Sequence, residues 1–387
     1  MTRMPSRISF EQATLVLERR RFESLHGRFD VHFFRDQVQD RTAMAIACGD
    51  LRDSAPLLAR VHSSCVTSEC LMARDCDCAP QLDGALATIA AAGRGVVFYL
   101  IQEGRGAGLT AKARDRMIVQ ASHHRLSTFD AYTKMGLPPD LRRYDSVGPM
   151  ARALGIRAPL ALLTNNPEKA EALALALSNE KIELAETLPL QAPTSPFNHD
   201  YLRAKRRSGH ALTRGTSLSV ALPPAPVEVE PPLRAVGHPH LISTACYFLP
   251  IGLTSNSPMA GHGAQSLIPD RVDWFRLRVV YDQRTARESV LLSMESSPEV
   301  GGSAFTFSLV DRLPGLETGG RQALRLALLG ILEHREQRVV VHFDESDPAA
   351  GRWTGTSEEF APSATEEILA AHWIPASSGG SASDVER

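Results

Sequence analysis

The chain has 387 residues, 43% apolar and 22% charged, with a formal net charge of −2. This length supports two domains with proper cores, and the near-neutral balance gives no whole-chain electrostatic case for nucleic acid or an anionic membrane. No apolar run approaches the roughly 20 residues of a membrane span, the first residues lack a signal peptide's apolar core, and six irregularly spaced cysteines do not make a disulfide framework at this length, so a cytoplasmic location is expected.

Residues 1–25 read as an N-terminal extension, helical over Phe10–Arg21. Strands are predicted at Phe29–Phe34, Thr42–Ala47 and Pro56–His62, and a cysteine-bearing segment follows. Leu82, Ala85, Leu86 and Ile89 recur at helical spacing, which predicts a helix over Ala79–Ala92 stopped by Gly93. Gly95–Ile101 is a compact apolar strand, Gln102–Leu109 a glycine-rich loop, and Thr110–Ser122 a helix. A helix at Met150–Leu154, a strand at Pro159–Leu163 and a helix at Glu168–Leu177 complete the alternation. Strands alternating with helices predict a mixed α/β domain over residues 26–212. Residues 213–240 hold Pro223, Pro224, Pro226, Pro231, Pro232 and Pro239 and read as a semi-rigid linker. A smaller α+β domain is expected over 241–375. Its predicted strands are Phe275–Tyr281, Ser289–Met294, Ala304–Val310 and Arg338–Phe343, and its helix is Arg321–His334 with Leu324, Leu328, Ile331 and Leu332 inward. Residues 376–387 read as a disordered tail.

Chemistry concentrates in the first half. Cys65, Cys76 and Cys78 fall within fourteen residues, and thiolates this close suggest a soft metal, zinc first. Three protein ligands leave one tetrahedral position for water, the arrangement of a catalytic site. Cys70 lies inside the loop; as a fourth ligand it would close the site, but helical periodicity after Thr67 points it into a core. The run Arg60-Val61-His62-Ser63-Ser64 either sets polar groups beside the metal or merely ends a strand. In Gln102-Glu103-Gly104-Arg105, the arginine fork suits phosphate and the glycines admit close anion approach, although a plain turn explains the loop equally well. Asp140 and Arg142 read as a reactive pair or a solvated charge run. Thr164-Asn165-Asn166-Pro167-x-Lys169 opens a helix, suiting phosphate or simple capping.

Taken together, the order of these motifs resembles GTP cyclohydrolase II. The pattern Arg-Val-His-Ser-x-Cys, ten residues, Cys-Asp-Cys falls on Arg60–Cys65 and Cys76–Cys78. Gln-Glu-Gly-Arg-x-x-Gly-Leu falls on Gln102–Leu109, Asp-x-Arg-x-Tyr on Asp140–Tyr144, and Leu-Leu-Thr-Asn-Asn-Pro-x-Lys on Leu162–Lys169. The closing pattern falls on Asn198, Tyr201, Leu202, Lys205, Gly209 and His210. The resemblance spans about residues 26–212.

What the resemblance implies is zinc-dependent hydrolysis of GTP at the entry to riboflavin biosynthesis. Formate leaves from guanine C8, pyrophosphate leaves from the triphosphate, and a diaminopyrimidinone ribotide remains. It implies one Zn²⁺ per chain on Cys65, Cys76 and Cys78, with Mg²⁺ on the triphosphate. It assigns Asp140 as proton acceptor and Arg142 as nucleophile on the α-phosphorus, a demanding role for a guanidinium that must first lose a proton. It places Arg60, Val61, His62, Ser63, Ser64, Gln81, Glu103, Gly104, Arg105, Thr128, Thr164 and Lys169 against GTP, with Glu103 on the guanine edge. It also implies a homodimer. The sequence departs from the family pattern at Ser64, where glutamate is usual, at Asp75 beside Cys76, and at Arg116, where tyrosine is common. Three extra residues also lie around Ser122–Arg125. Asp75 is expected to make the thiol site more negative. Two alternatives follow: a divergent relative that retains the formyl group or takes another nucleotide, and a non-catalytic nucleotide-binding protein with a closed structural zinc.

Overall fold

The computed structural model describes residues 14–36, 41–213, 218–253, 271–294, 302–307, 319–334, 338–343 and 362–375. In chain order the first elements are β1 (Thr14–Ser24), β2 (Gly27–Asp36), β3 (Arg41–Cys48), β4 (Leu57–Ser63), α1 (Val66–Glu69) and α2 (Cys78–Ala91). Then come β5 (Gly95–Leu100), α3 (Leu109–Ala121), α4 (Thr128–Lys134), α5 (Val147–Ala153), β6 (Leu160–Leu163), α6 (Pro167–Ser178), β7 (Leu184–Leu188) and α7 (His199–Arg207). They build a seven-stranded sheet ordered β1-β2-β3-β5-β4-β6-β7. Pairing is antiparallel from β1 through β3 to β5 and parallel from β5 through β4 and β6 to β7.

Every residue of β5 is buried, as a central strand covered on both faces requires. On one face α5 and α6 contribute Val147, Met150, Leu173 and Leu177 to the core with Leu57, Ala59 and Val61. On the other, α2 presents Leu82, Ala85, Leu86 and Ile89 to Met44, Ile46, Val97 and Tyr99. The apolar spacing therefore marks the buried face of α2 as predicted.

The helix predicted over Phe10–Arg21 is replaced from Thr14 onward by β1, which pairs with β2 along its length; Phe10–Gln12 and Ala13 lie outside the described residues. The reason is tertiary. Residues two apart share one face of a strand, and Arg19 and Arg21 both meet Asp30 across the hairpin, at 2.8 and 3.5 Å. Cross-strand pairing overrides a local helical pattern, so residues 14–24 belong to the first sheet.

The remaining elements are β8 (Leu233–Ala235), β9 (His238–Leu253), β10 (Arg271–Asp282), β11 (Arg287–Ser293), β12 (Gly302–Phe307), α8 (Gly319–His334), β13 (Arg338–Phe343), α9 (Pro362–Ala370) and β14 (Trp373–Pro375). They form a second seven-stranded sheet, ordered β12-β13-β11-β10-β9-β8-β14. The Pro-rich segment thus already supplies β8 and the first residues of β9. The predicted strand Ala304–Val310 is found as β12; residues 308–310 and the tail 376–387 lie outside the described residues. In α8, Leu324, Leu328 and Ile331 are fully buried, and Leu332 packs against the same core.

The two sheets share a core. Val66, Cys70, Leu71 and Ala73 of the cysteine segment and Leu109, Ala113 and Met117 of α3 pack with Tyr247, Leu249, Ile251, Phe275 and Leu277. Backbone hydrogen bonds reinforce this seam: Arg74 N–H donates to Pro250 O (2.8 Å) and Gly252 N–H to Met72 O (3.1 Å). Gln120 on α3 donates to Phe248 O (2.6 Å) and accepts from Phe248 N–H (2.9 Å).

Candidate active site

Strand β4 runs into Cys65, the loop returns to Cys76, and Cys78 opens α2. The three Sγ atoms lie within 4.8 Å of one another, and Cys65 Sγ is 3.7 Å from Cys76 Sγ. Two thiolates bound tetrahedrally to zinc at about 2.3 Å stand roughly 3.8 Å apart, so these donors fit that ion. Cys65 and Cys76 are buried and Cys78 is half-buried, which leaves the group approachable from the Cys78 side. Cys70 is fully buried in the shared core and is not part of the group; packing claims its side chain, as the periodicity after Thr67 predicts.

Lys112, on the first turn of α3, brings Nζ to 2.9 Å from Cys65 Sγ and 2.9 Å from Glu103 Oε1. The other Glu103 oxygen accepts from Val66 N–H at 2.7 Å. Lys112 is therefore a buried counter-cation for the thiols. Three thiols this close share protons unequally: hydrogen bonds from Cys65 and Cys78 hold Cys76 well below the usual thiol range, while those to Cys65 and Cys76 push Cys78 well above it.

A second cluster is cationic. Arg60, 5% exposed, donates to Leu163 O (2.8 Å) and Gln81 Oε1 (2.6 Å). Gln81 holds Asp77 (2.7 Å), which pairs with Lys205 (2.6 Å). Lys169, on α6, donates to Val61 O at 3.2 Å. Burial, followed by repulsion from Arg142, Arg60 and Lys205, pushes the Lys169 amine well below its ordinary range. Burial likewise lowers Arg60 to about 10. His210 is lowered to about 4 by burial and then by Lys205, Arg142 and Arg105. Among the described residues Asp77 and Asp140 are the carboxylates that pair with this group, and cations so concentrated, with few carboxylates among them, suit a polyanion.

Arg142 Nε meets both Asp140 oxygens, at 2.9 and 3.0 Å. Burial is the largest single influence and opposes the guanidinium charge, yet the Asp140 hydrogen bonds together with electrostatic attraction to Tyr144, Asp140 and Tyr201 outweigh it and hold Arg142 above its ordinary value. For Asp140, burial raises the carboxyl and Arg142 more than reverses this, leaving it below its ordinary value. The loop carrying this pair presses on the glycine-rich loop. Leu141 N–H donates to Arg105 O (2.9 Å), and a Cβ on Gly106 (φ +88°) would stand 2.8 Å from Leu141 O. Arg105 itself holds φ 55°, an uncommon backbone for a side-chain-bearing residue, of the kind found at functional sites. Its guanidinium lies 3.9 Å from the Phe129 ring centre.

Comparison with known proteins places this arrangement. Residues 15–189 match the family model for GTP cyclohydrolase II. The GTP cyclohydrolase-2 of Hahella chejuensis is 40% identical over 188 residues, covering 48% of this chain and 87% of that protein. The GTP cyclohydrolase-2 of Pseudomonas aeruginosa (strain LESB58) is 41% identical over 187 residues, with coverages of 48% and 87%. The chain belongs to the GTP cyclohydrolase II family. It is accordingly an enzyme, a hydrolase. A solved structure of RibBX, a two domain 3,4-dihydroxy-2-butanone 4-phosphate synthase from A. baumannii, aligns with a TM-score of 0.26 and 17% identity, covering 47% of this chain and 41% of that one; so slight a likeness carries no argument. The family match ends at residue 189, so the second sheet lies beyond it.

The family motifs do not all point at one space. Arg60, Gln81, Asp140, Arg142 and Lys169 surround the cationic cluster, and Glu103 stands at the thiols through Lys112. His62 instead turns into the core: its Nε2 meets Glu69 Oε1 at 2.9 Å, its ring stacks on Tyr99, and burial keeps the imidazole below its ordinary range. Ser64 Oγ accepts from Gln102 N–H (3.1 Å), Thr128 donates to Asp115 (2.7 Å), and Thr164 Oγ1 accepts from Asn166 N–H (3.1 Å). Ser63 Oγ is buried without a hydrogen-bond partner. Val61 offers its carbonyl to Lys169, and Gly104 its carbonyl to the Tyr132 hydroxyl (2.7 Å).

Sequence reasoning missed Lys112 and gave no role to Asp77 and Lys205, although both stand within the quoted motifs. For Lys112 the signal was position: it lies one helical turn after Leu109, on the face that turns toward the thiols. Asp75 does press on the thiols, its charge opposing the Cys76 thiolate as expected. What the sequence did not show is its partner: Arg116 Nε pairs with it at 3.1 Å, with side chains 10% and 13% exposed. The two departures from the family pattern answer each other in space. Arg116 also lies over the Tyr201 ring (4.7 Å). A cavity of about 360 Å³ beside the pair is lined by Asp75, Arg116, Thr128 and Tyr201, and by Pro250 and Trp274 of the second sheet.

Proposed function

We propose that this protein hydrolyses GTP, opening the guanine imidazole ring with release of formate and pyrophosphate to leave a diaminopyrimidinone ribotide, in riboflavin biosynthesis. The observation that carries this reading is the adjacency of a three-thiol group, spaced for zinc, to a buried receptor for a polyanion. Cys65, Cys76 and Cys78 would hold one Zn²⁺, whose Lewis acidity, when bound, would activate water for attack on the imidazole carbon. Lys112 offsets the thiolate charge, and Glu103 positions Lys112 while remaining the candidate for the guanine edge.

Arg60, Lys169, Lys205 and Arg105 hold the triphosphate through charge-assisted hydrogen bonds, with Mg²⁺ accompanying it. Arg142 sits among them, kept charged by Asp140. That pairing favours a clamp that stabilises charge developing on the phosphates; as a nucleophile, Arg142 would first have to pass its proton to Asp140. Gln81 keeps Arg60 and Asp77 in register. Assembly as a homodimer and a cytoplasmic location belong to the same reading; among the described residues no helix is long and apolar enough to cross a membrane.

A second reading, in which the formyl group is retained, draws on the Asp75–Arg116 pair beside Cys76, which places a guanidinium next to the thiols. One experiment separates the two. The full chain, loaded with zinc, is incubated with GTP and Mg²⁺, and formate, pyrophosphate and the pyrimidine product are scored separately. Stoichiometric formate supports the first reading. A product still carrying the formamide supports the second, and unchanged GTP overturns both.

A further inference from the structure

The start of β9 and helix α9 meet at a second cluster of potential metal donors, remote from the thiols. His238 and His240 stand two residues apart at the start of β9, so both imidazoles project from one face of the sheet. Pro239 between them is exposed. The hairpin that carries them is fixed at both ends: β8 pairs Ala235 with His238, and Gln283 N–H donates to His240 O at 3.0 Å. Helix α9 lays Glu367 over the same face. His240 Nε2 lies 2.9 Å from Glu367 Oε2, and His238 Nδ1 lies 3.8 Å from Glu367 Oε1.

From this geometry we infer a second metal site, made by His238, His240 and Glu367, for a borderline divalent cation of the zinc class. One donor atom from each residue lies within 4.8 Å of the others. Nitrogen and oxygen donors at about 2.0–2.1 Å from a tetrahedral zinc stand roughly 3.3 Å apart, between the two observed distances. The imidazole rings meet edge-on, 81° apart with centres at 5.9 Å, so they do not stack and their nitrogens are free to converge. The side chains are 31%, 20% and 21% exposed, open enough for an aquated cation to enter. Two imidazoles and a carboxylate form a donor set without thiolate, distinct in softness from the cysteine group. Arg284 Nη2 holds Glu367 Oε2 at 2.7 Å and is itself held by Asp282. It orients the carboxylate from outside, the role outer partners play at metal sites. A cation here would clip the last helix to the β8–β9 hairpin and stabilise the second sheet by mass action.

The test uses the full chain and Zn²⁺ or Co²⁺ alone. After loading and dialysis, the wild-type chain is expected to hold two equivalents. One Co²⁺ should show the near-ultraviolet sulfur charge-transfer band of the thiol site and the other only weak visible bands. His240→Ala and the shape-conserving Glu367→Gln should each keep the sulfur band, which reports an intact fold. Each should weaken the second equivalent by at least about tenfold, the lower end of what even an outer partner's loss costs. A single equivalent in the wild-type chain, or a second equivalent bound equally well by both variants, would overturn the site.

Discussion

The two sheets divide their labour unequally. The first carries every motif, all three thiols and the cation cluster. The second carries no family motif, yet it shares with the first a core that includes Cys70, Leu71 and Met117. Relatives matched over 87% of their own length align to only 48% of this chain, so the second sheet is an addition to the family unit. The lesson is that motif density reports chemistry, whereas burial reports which parts hold the chemistry in place. The loop between Cys65 and Cys76 is tied to β9 by backbone hydrogen bonds, Arg74 N–H to Pro250 O and Gly252 N–H to Met72 O, so a motif-free strand helps fix the spacing of the thiol group.

The harshest way to break this comparison is to remove the second sheet. A chain ending at residue 232 should lose cooperative thermal unfolding and aggregate, because the apolar faces of α3 and the cysteine loop would meet water. A folded, GTP-hydrolysing truncation, seen by circular dichroism and product assay, would show that the shared core is dispensable.

Within the site, Arg116→Met should destabilise the chain by about 3–5 kcal/mol, since it leaves Asp75 buried and unpaired. The double variant Asp75→Asn, Arg116→Met should recover much of that loss, as a denaturant-melt cycle would reveal; strictly additive effects would deny the pairing. In the seam, Leu249→Ala should cost about 2–5 kcal/mol by leaving a cavity, and zinc retention on dialysis should fall with it. Unchanged zinc retention would uncouple the second sheet from the thiols.

His342 of β13 sharpens the contrast by pH. Burial, then Arg287, lowers its imidazole to about 4, and Ser289 Oγ lies 2.7 Å from Nδ1. The folded state therefore holds the ring neutral while the unfolded chain takes up a proton below about 6.5. This contribution is fully present above pH 6.5 and is lost as the pH falls toward 4, at most about 3 kcal/mol. His342→Gln should flatten the decline in stability between those values in urea melts. The smallest effect is expected from Gln120→Leu, about 2 kcal/mol for the two hydrogen bonds lost to Phe248, with KM rising more than kcat falls if β9 positions the site wall.

The sequence by itself determined the thiol trio, the order of the loops and the alternation of the first sheet. Those depend on residue type and local spacing, as with Leu82, Ala85, Leu86 and Ile89 on α2. It left β1, β9 and the partners of each charged residue undetermined. Strand β1 is decided by its antiparallel pairing with β2 from Thr14 to Ser24. The fate of Cys70 was read correctly because helical periodicity is local. The charge that Asp75 brings to the thiols was legible too, but its pairing was not, because its partner Arg116 is far away in the chain, on α3. Charges and strands are completed by neighbours brought together only in the folded chain, and that is why the tertiary structure alone decided that the extra carboxylate beside Cys76 is paired and that a motif-free sheet holds the cysteine loop.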